Sequence, residues 1–137
     1  MKFTLTRILV VDDDGTTRTF IVESLRRIGI QHIETCHDGA SAMQLLRSFK
    51  PDLALIDIHM EPMGGLDLVE AMRKHPDANI RGTKVIFMSV DSSITTLQAS
   101  LPLGSFGYLV KPPKVETLRA KLELAFGSSG TPTVDFF

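Results

Sequence analysis

The chain alternates short apolar runs, too brief for core helices, with longer stretches of helical spacing. The clearest runs are Ile8-Leu9-Val10-Val11, Leu53-Ala54-Leu55-Ile56, Val85-Ile86-Phe87-Met88 and Tyr108-Leu109-Val110. Bounded apolar runs of this length read as buried parallel strands. Ile33-Glu34-Thr35-Cys36 reads as a further strand. Between the strands the period changes. Phe20, Ile21, Leu25 and Ile28 share a face of a helix over Thr16 to Ile28, which Gly29 stops. Asp38 caps a second helix with Ala42, Leu45, Leu46 and Phe49 on its core face, and Pro51 prevents its continuation. The third follows Gly64-Gly65 and presents Leu66, Val69 and Met72. The fourth keeps Ile94, Leu97 and Leu101 in register, but it is rich in Ser and Thr and Pro102 cuts it short. The fifth starts after Pro112-Pro113 and buries Val115, Leu118, Leu122 and Ala125 before Gly127. Strict alternation with right-handed crossovers and one reversal predicts an α/β fold, a doubly wound (βα)5 unit with parallel strand order 2-1-3-4-5.

A chain of 137 residues suffices for one domain with a real core. We expect that domain to occupy residues 1–127. Ser128 to Phe137, small and polar until Phe136-Phe137, read as a tail or the start of an interdomain linker. A formal net charge of -1 gives no electrostatic case for nucleic-acid binding. The only adjacent basic pairs, Arg26-Arg27 and Arg73-Lys74, read as solvated helix surface. The single cysteine, Cys36, excludes an intramolecular disulfide and reads as a buried, inert thiol, which fits a reducing cytoplasm. No apolar stretch approaches the roughly 18 residues needed to span a bilayer. Met1 to Arg7 is too polar for a signal peptide.

The chemistry lies where the strands stop. The carboxyl ends of neighbouring parallel strands line one edge of a sheet, where ligands bind. Here they end on Asp12-Asp13-Asp14, Asp57, Ser89 and Lys111-Pro112. Carboxylates gathered there repel: at about 5 Å and an effective dielectric of about 20, each pair costs roughly 3 kcal/mol, or about two pKa units. A cation would relieve that repulsion, and an all-oxygen site suits Mg²⁺. Asp14 reads as the cap of the first helix. Asp57 can attack phosphorus and form an acyl phosphate, while Ser89 and Lys111 can each hold a phosphoryl oxygen.

In order and residue type these elements resemble the receiver domain of two-component response regulators, over about Arg7 to Phe126. The matching residues are Ile8 to Asp14, then Asp57-Ile58-His59-Met60 with Met63 and Gly65, then Ser89, then Tyr108-Leu109-Val110-Lys111-Pro112. The resemblance implies a CheY-like, flavodoxin-like three-layer sandwich. It implies that Asp57 is the phosphoacceptor, that Asp13 binds Mg²⁺ directly with Asp12 helping through water, and that the His59 backbone carbonyl completes the ligands. Ser89 and Tyr108 would form the switch pair: the hydroxyl moves toward the phosphoryl group, the ring turns inward, and the face of the fourth helix, fifth strand and fifth helix repacks for a partner. The Lys111–Pro112 bond would be cis. The implied donor is a histidine kinase or histidine phosphotransfer protein. The implied reader is an output domain or partner protein, and the same face allows a homodimer. Such a domain assists its own phosphorylation and dephosphorylation in the cytoplasm, without a separate turnover substrate, nucleic acid or membrane.

The sequence departs from the family in two places. Glu61 stands where the family usually has Pro, with Pro62 one position later, and Val90 stands where a small Ala usually follows the Ser or Thr. We expect Val90 to restrict access of small phosphodonors. His59 and Asp91 stand where side chains could overhang the site. Two other readings compete. Asp12-Asp13-Asp14-Gly15-Thr16 also resembles the opening of haloacid-dehalogenase-type phosphatases, with Asp12 as nucleophile and Asp14 as general acid. That reading lacks a later acidic pair and a cap insertion, and it leaves Asp57 unused. A receiver scaffold unable to accept a phosphoryl group is the third reading.

Overall fold

A computed structural model describes residues 3–90 and 93–127. Its strands are β1 (Arg7–Val11), β2 (His32–Cys36), β3 (Leu53–Asp57), β4 (Lys84–Ser89) and β5 (Tyr108–Val110). Its helices are α1 (Gly15–Ile28), α2 (Gly39–Ser48), α3 (Gly65–Arg73), α4 (Ala78–Arg81), α5 (Ile94–Ser100) and α6 (Val115–Gly127). The strands form one parallel sheet in the order β2-β1-β3-β4-β5, as expected. Two cores flank it because alternate strand residues face opposite sides. Ile8, Val10, Leu53, Leu55, Ile86, Met88 and Leu109 pack under α1 and α6. Leu9, Val11, Ala54, Ile56, Val85, Phe87 and Tyr108 pack under α2, α3 and α5. The result is the expected three-layer sandwich.

The helix starts follow capping chemistry. Asp14 accepts from the Thr16 N–H and the Thr17 hydroxyl, and Asp38 accepts from the Ser41 N–H. Both carboxyls therefore sit below the usual carboxylate range, Asp14 chiefly through Thr17 and Asp38 through Ser41. Gly29 closes α1 at φ 113°, in the left-handed region that glycine tolerates.

Several expectations need correction. Phe20 is 42% exposed, and Ser24 takes the inward place, its hydroxyl donating to the Phe20 carbonyl. The true stripe is Ile21, Leu25 and Ile28 at i, i+4 and i+7; Phe20 is rotated about 100° from its neighbour Ile21. Of the fourth-helix trio only Leu97 is buried, with Ile94 and Leu101 exposed. That helix, α5, spans seven residues and passes into a 3₁₀ turn over Leu101–Leu103. One helical turn was not expected at all: α4, capped by Asp77 and closed at Gly82, is too short to show a period. Arg73 is not solvated surface. It donates to the carbonyls of Arg81, Thr83 and Leu103, tying the end of α3 to the segments beside β4 and α5. Lys121 on α6 is buried, its stem lying where a Gly107 side chain would stand. Asp91 and the segment Ser128 to Phe137 fall outside the described residues. Among the described residues no helix is long and apolar enough to cross a membrane.

Candidate functional site

Strand register alone brings the expected residues to one edge. Val11 pairs with Ile56, so the next position sets Asp12 beside Asp57. Asp57 pairs with Met88, so Ser89 lies one step beyond, and Ser89 pairs with Val110, so Lys111 lies one step beyond that. The Lys111 N–H extends the ladder by donating to the Ser89 carbonyl at 2.9 Å. The Lys111–Pro112 bond is cis, as the resemblance implied. Glu61–Pro62 is cis as well.

The side chains then converge. One carboxylate oxygen each from Asp12, Asp13 and Asp57 lie within 4.8 Å of one another. Lys111 Nζ stands 2.7 Å from Asp12 Oδ2 and 3.3 Å from Asp57 Oδ2, bridging the two buried acids. Asp12 Oδ1 accepts from the Asp14 N–H at 2.9 Å, and Asp57 Oδ1 accepts from the His59 N–H at 3.1 Å. Asp13 is the exposed member, at the mouth of the site. Ser89 is fully buried at the end of β4, and the His59 side chain is exposed.

Electrostatics follows from that packing. Burial, and then the charge of Asp12, push the Asp57 carboxyl above its usual range; Lys111 and the His59 N–H oppose the push without cancelling it. Burial alone would lower the Lys111 ammonium, but the bond to Asp12 and the charges of Asp57 and Asp12 outweigh it and hold the pKa above its ordinary value. One cation thus leaves the acids only partly compensated. Three hard oxygen donors with residual negative charge fit Mg²⁺.

The loop after Asp57 is shaped by glycine. A side chain at Gly65 would collide with the Asp57 carbonyl oxygen, so α3 begins directly beneath Asp57. Met63 lies over Gly39, where an added Cβ would sit 2.8 Å from its Sδ, and so seats the loop on the start of α2.

The structure brings Asp12, Asp13, Asp57 and Lys111 together and sets Ser89 on the adjoining strand end. Tyr108 lies wholly within the core. At 0% exposure its ring holds the inward position that the resemblance assigns to the phosphorylated form. Val90 is 73% exposed, directly after Ser89. Cys36 is buried as expected, and desolvation pushes its thiol up to about 11. Arg18, which the sequence reading passed over, donates from Nη1 to the Asp12 carbonyl at 2.6 Å.

Comparison with known proteins agrees with this geometry. The family model for the response regulator receiver domain matches residues 8–123. The chain belongs to that family. This receiver domain is 31% identical to the chemotaxis protein CheY of Pseudomonas aeruginosa, over 88% of this chain and 95% of that protein. It is 37% identical to a protein-glutamate methylesterase/protein-glutamine glutaminase of Desulfotalea psychrophila, over 87% of this chain but only 32% of that longer protein. Its fold superposes on the chemotaxis response regulator CheY4 of Vibrio cholerae with a TM-score of 0.79 at 28% identity, covering 89% of this chain and 99% of that one. Receiver domains are signalling domains rather than conventional enzymes. The phosphatase reading loses its general acid as well, since the Asp14 carboxylate is engaged in capping α1.

Proposed function

We propose that this receiver domain accepts a phosphoryl group on Asp57 from a histidine kinase or histidine phosphotransfer protein and reports it through the α5–β5–α6 face. The observation that carries the reading is the Lys111 ammonium bridging Asp12 and Asp57 beside an open acidic mouth. A structural ion pair needs one carboxylate; a third, exposed one at the same mouth leaves charge for a second cation.

Asp12, Asp13 and Asp57, with the His59 backbone carbonyl, would hold Mg²⁺. Bound there, the ion supplies positive charge against the phosphoryl oxygens as negative charge develops. The Asp57 carboxylate attacks phosphorus, the P–N bond to the donor imidazole breaks, and the leaving imidazole takes its proton from solvent. The product is an acyl phosphate. Lys111 turns from its carboxylate partners toward a phosphoryl oxygen, and because the ammonium is held charged it pairs with the negative charge that gathers there. Ser89 donates to another phosphoryl oxygen. Ser89 and Tyr108 form the switch pair, with the inward ring as the arrangement that goes with a repacked face. The reading implies a cytoplasmic protein that controls an output domain or separate partner, without a turnover substrate of its own.

The test is intact mass after incubation with Mg²⁺ and acetyl phosphate. Wild type should gain one phosphoryl group, chelation of Mg²⁺ should suppress the gain, and Asp57→Asn should show none. A wild type that gains nothing shifts weight to the scaffold reading; an adduct surviving in Asp57→Asn refutes Asp57 as acceptor.

A further inference from the structure

We propose that Arg18 is a positioning residue for the metal-binding carboxylates, holding the peptide unit that joins Asp12 to Asp13; this rests on the Mg²⁺ reading above. The paired residues of β1 end at Val11, so the Asp12 carbonyl lies just past the ladder. Arg18 supplies the partner, with Nη1 2.6 Å from that oxygen. The Asp12 carbonyl and the Asp13 N–H belong to one planar peptide. A charged donor fixed on one end of that plane therefore sets the backbone from which both carboxylates project. The same stretch is held twice more, by the Asp12 N–H to the Cys36 carbonyl at 3.1 Å and the Asp14 N–H to Asp12 Oδ1 at 2.9 Å. Together these bonds pin Asp12 on three sides and leave the Asp13 carboxylate open at the mouth.

Local preference does not explain Arg18. It is the fourth residue of α1, and a cation near a helix N-terminus opposes the macrodipole. With three aspartates close by in sequence, it makes no ion pair among the described residues and bonds to a carbonyl instead. The guanidinium lies over Gly15, where an added Cβ would sit 3.4 Å from Nη2. A cation that orients acids without neutralising them by direct pairing leaves their oxygens available to a metal.

The sign of the effect separates this role from simple charge. If Arg18 acted only as a nearby positive charge, removing it would tighten Mg²⁺ binding, because like charges repel. If it positions the ligands, removing it weakens binding. Calorimetric Mg²⁺ titration of the full chain measures this for wild type, Arg18→Ala and Arg18→Lys, with thermal melts in chelator to check the fold. We expect Arg18→Ala to raise the Mg²⁺ Kd about 10- to 100-fold, the usual range for losing an outer partner of a metal ligand. Arg18→Lys should fall between the two, since it keeps the charge but loses the planar fork. An unchanged or tighter Kd in Arg18→Ala overturns the proposal and leaves the Mg²⁺ reading standing. A wild type that binds no Mg²⁺ removes that reading, and the proposal with it. Should Arg18→Ala not fold, Arg18→Lys decides: a charge-only role leaves its Kd at the wild-type value, and positioning raises it.

Discussion

The acidic site and the α5–β5 face belong to one sheet, yet they are built very differently. The site's two buried acids stand on β1 and β3, interior strands of five residues each paired on both sides, while Lys111 reaches them from the end of β5. The α5–β5 face stands on an edge strand of three residues and a helix of seven that carries no charged side chain. Ile94 and Val110 on these elements are exposed to solvent, as is Val90 after β4. The two buried acids thus stand where backbone geometry is over-determined, and the exposed apolar face where few contacts hold it. Local opening draws on the weakly held elements of a fold. The contrast teaches that a firmly held acidic pair and a weakly held apolar face can share a sheet if one takes interior strands and the other an edge.

The contrast is most exposed at Tyr108, the large, fully buried side chain that roots the edge face in the core. Tyr108→Ala should cost about 4 kcal/mol, in the range for truncating a buried aromatic. Urea unfolding of the Mg²⁺-free protein measures it. A loss below about 1 kcal/mol would mean that the edge relaxes around the hole, and that the face is looser than the buried ring implies. Next in size is Gly65→Ala, which attacks the central region. The added methyl meets the Asp57 carbonyl and the Ile56 side chain, neither of which can withdraw without moving β3. We expect a loss of about 3 kcal/mol, as for overpacking at a site that cannot give. A neutral Gly65→Ala would show that the floor of the site is softer than the edge, reversing the comparison.

Asp57→Asn should change stability less, and in the opposite direction. Burial and Asp12 hold the Asp57 carboxyl above its ordinary value of 3.8. Between that value and its folded one, the native state binds more protons than the unfolded chain, so stability falls as pH rises through the window. Without divalent cations, Asp57→Asn should therefore melt above wild type at neutral pH, with the difference closing as pH drops toward the ordinary carboxylate range. The capping carboxyls Asp14 and Asp38 have the opposite sign, losing their contribution as pH falls, but they are common to both proteins and cancel. Melting curves across pH test this; a difference that grows on acidification would contradict the raised Asp57 value. Adding Mg²⁺ should stabilise wild type more than Asp57→Asn.

How much the sequence could say follows the same division. Four of the five strands were readable because a buried parallel strand writes itself as an uninterrupted apolar run, and the meeting of Asp12, Asp57, Ser89 and Lys111 at one rim was readable because each marks where such a run stops; β2, mostly exposed, has no such signature. Register then needs no further information. The interactions that escaped notice have no period. Arg73 and Arg18 bond to backbone carbonyls, which no side-chain pattern records. The burial of Lys121 depends on the missing side chain of Gly107, on another element. Ile94 and Leu101 were placed inside by helical spacing, but a seven-residue helix broken by a 3₁₀ turn turns them outward. Phe20 had the right residue type at an angle that only the whole helix fixes.

The smallest expected effect on stability is the most informative about the seam between the two regions. Val90 follows Ser89 at the end of β4 and leads toward α5, so it belongs to both. At 73% exposure it contributes little packing, and Val90→Ala should leave stability within about 0.5 kcal/mol. Its two extra methyl groups nevertheless stand next to the residue that we assign to a phosphoryl oxygen. Removing them should speed acyl-phosphate formation from acetyl phosphate, read by intact mass against time at fixed Mg²⁺. A larger donor should respond differently, because a phosphohistidine protein must cover the rim and can use the valine as a contact. If Val90→Ala alters neither rate, the seam is inert, and access to Asp57 is set by the loop through Glu61 and Pro62 instead.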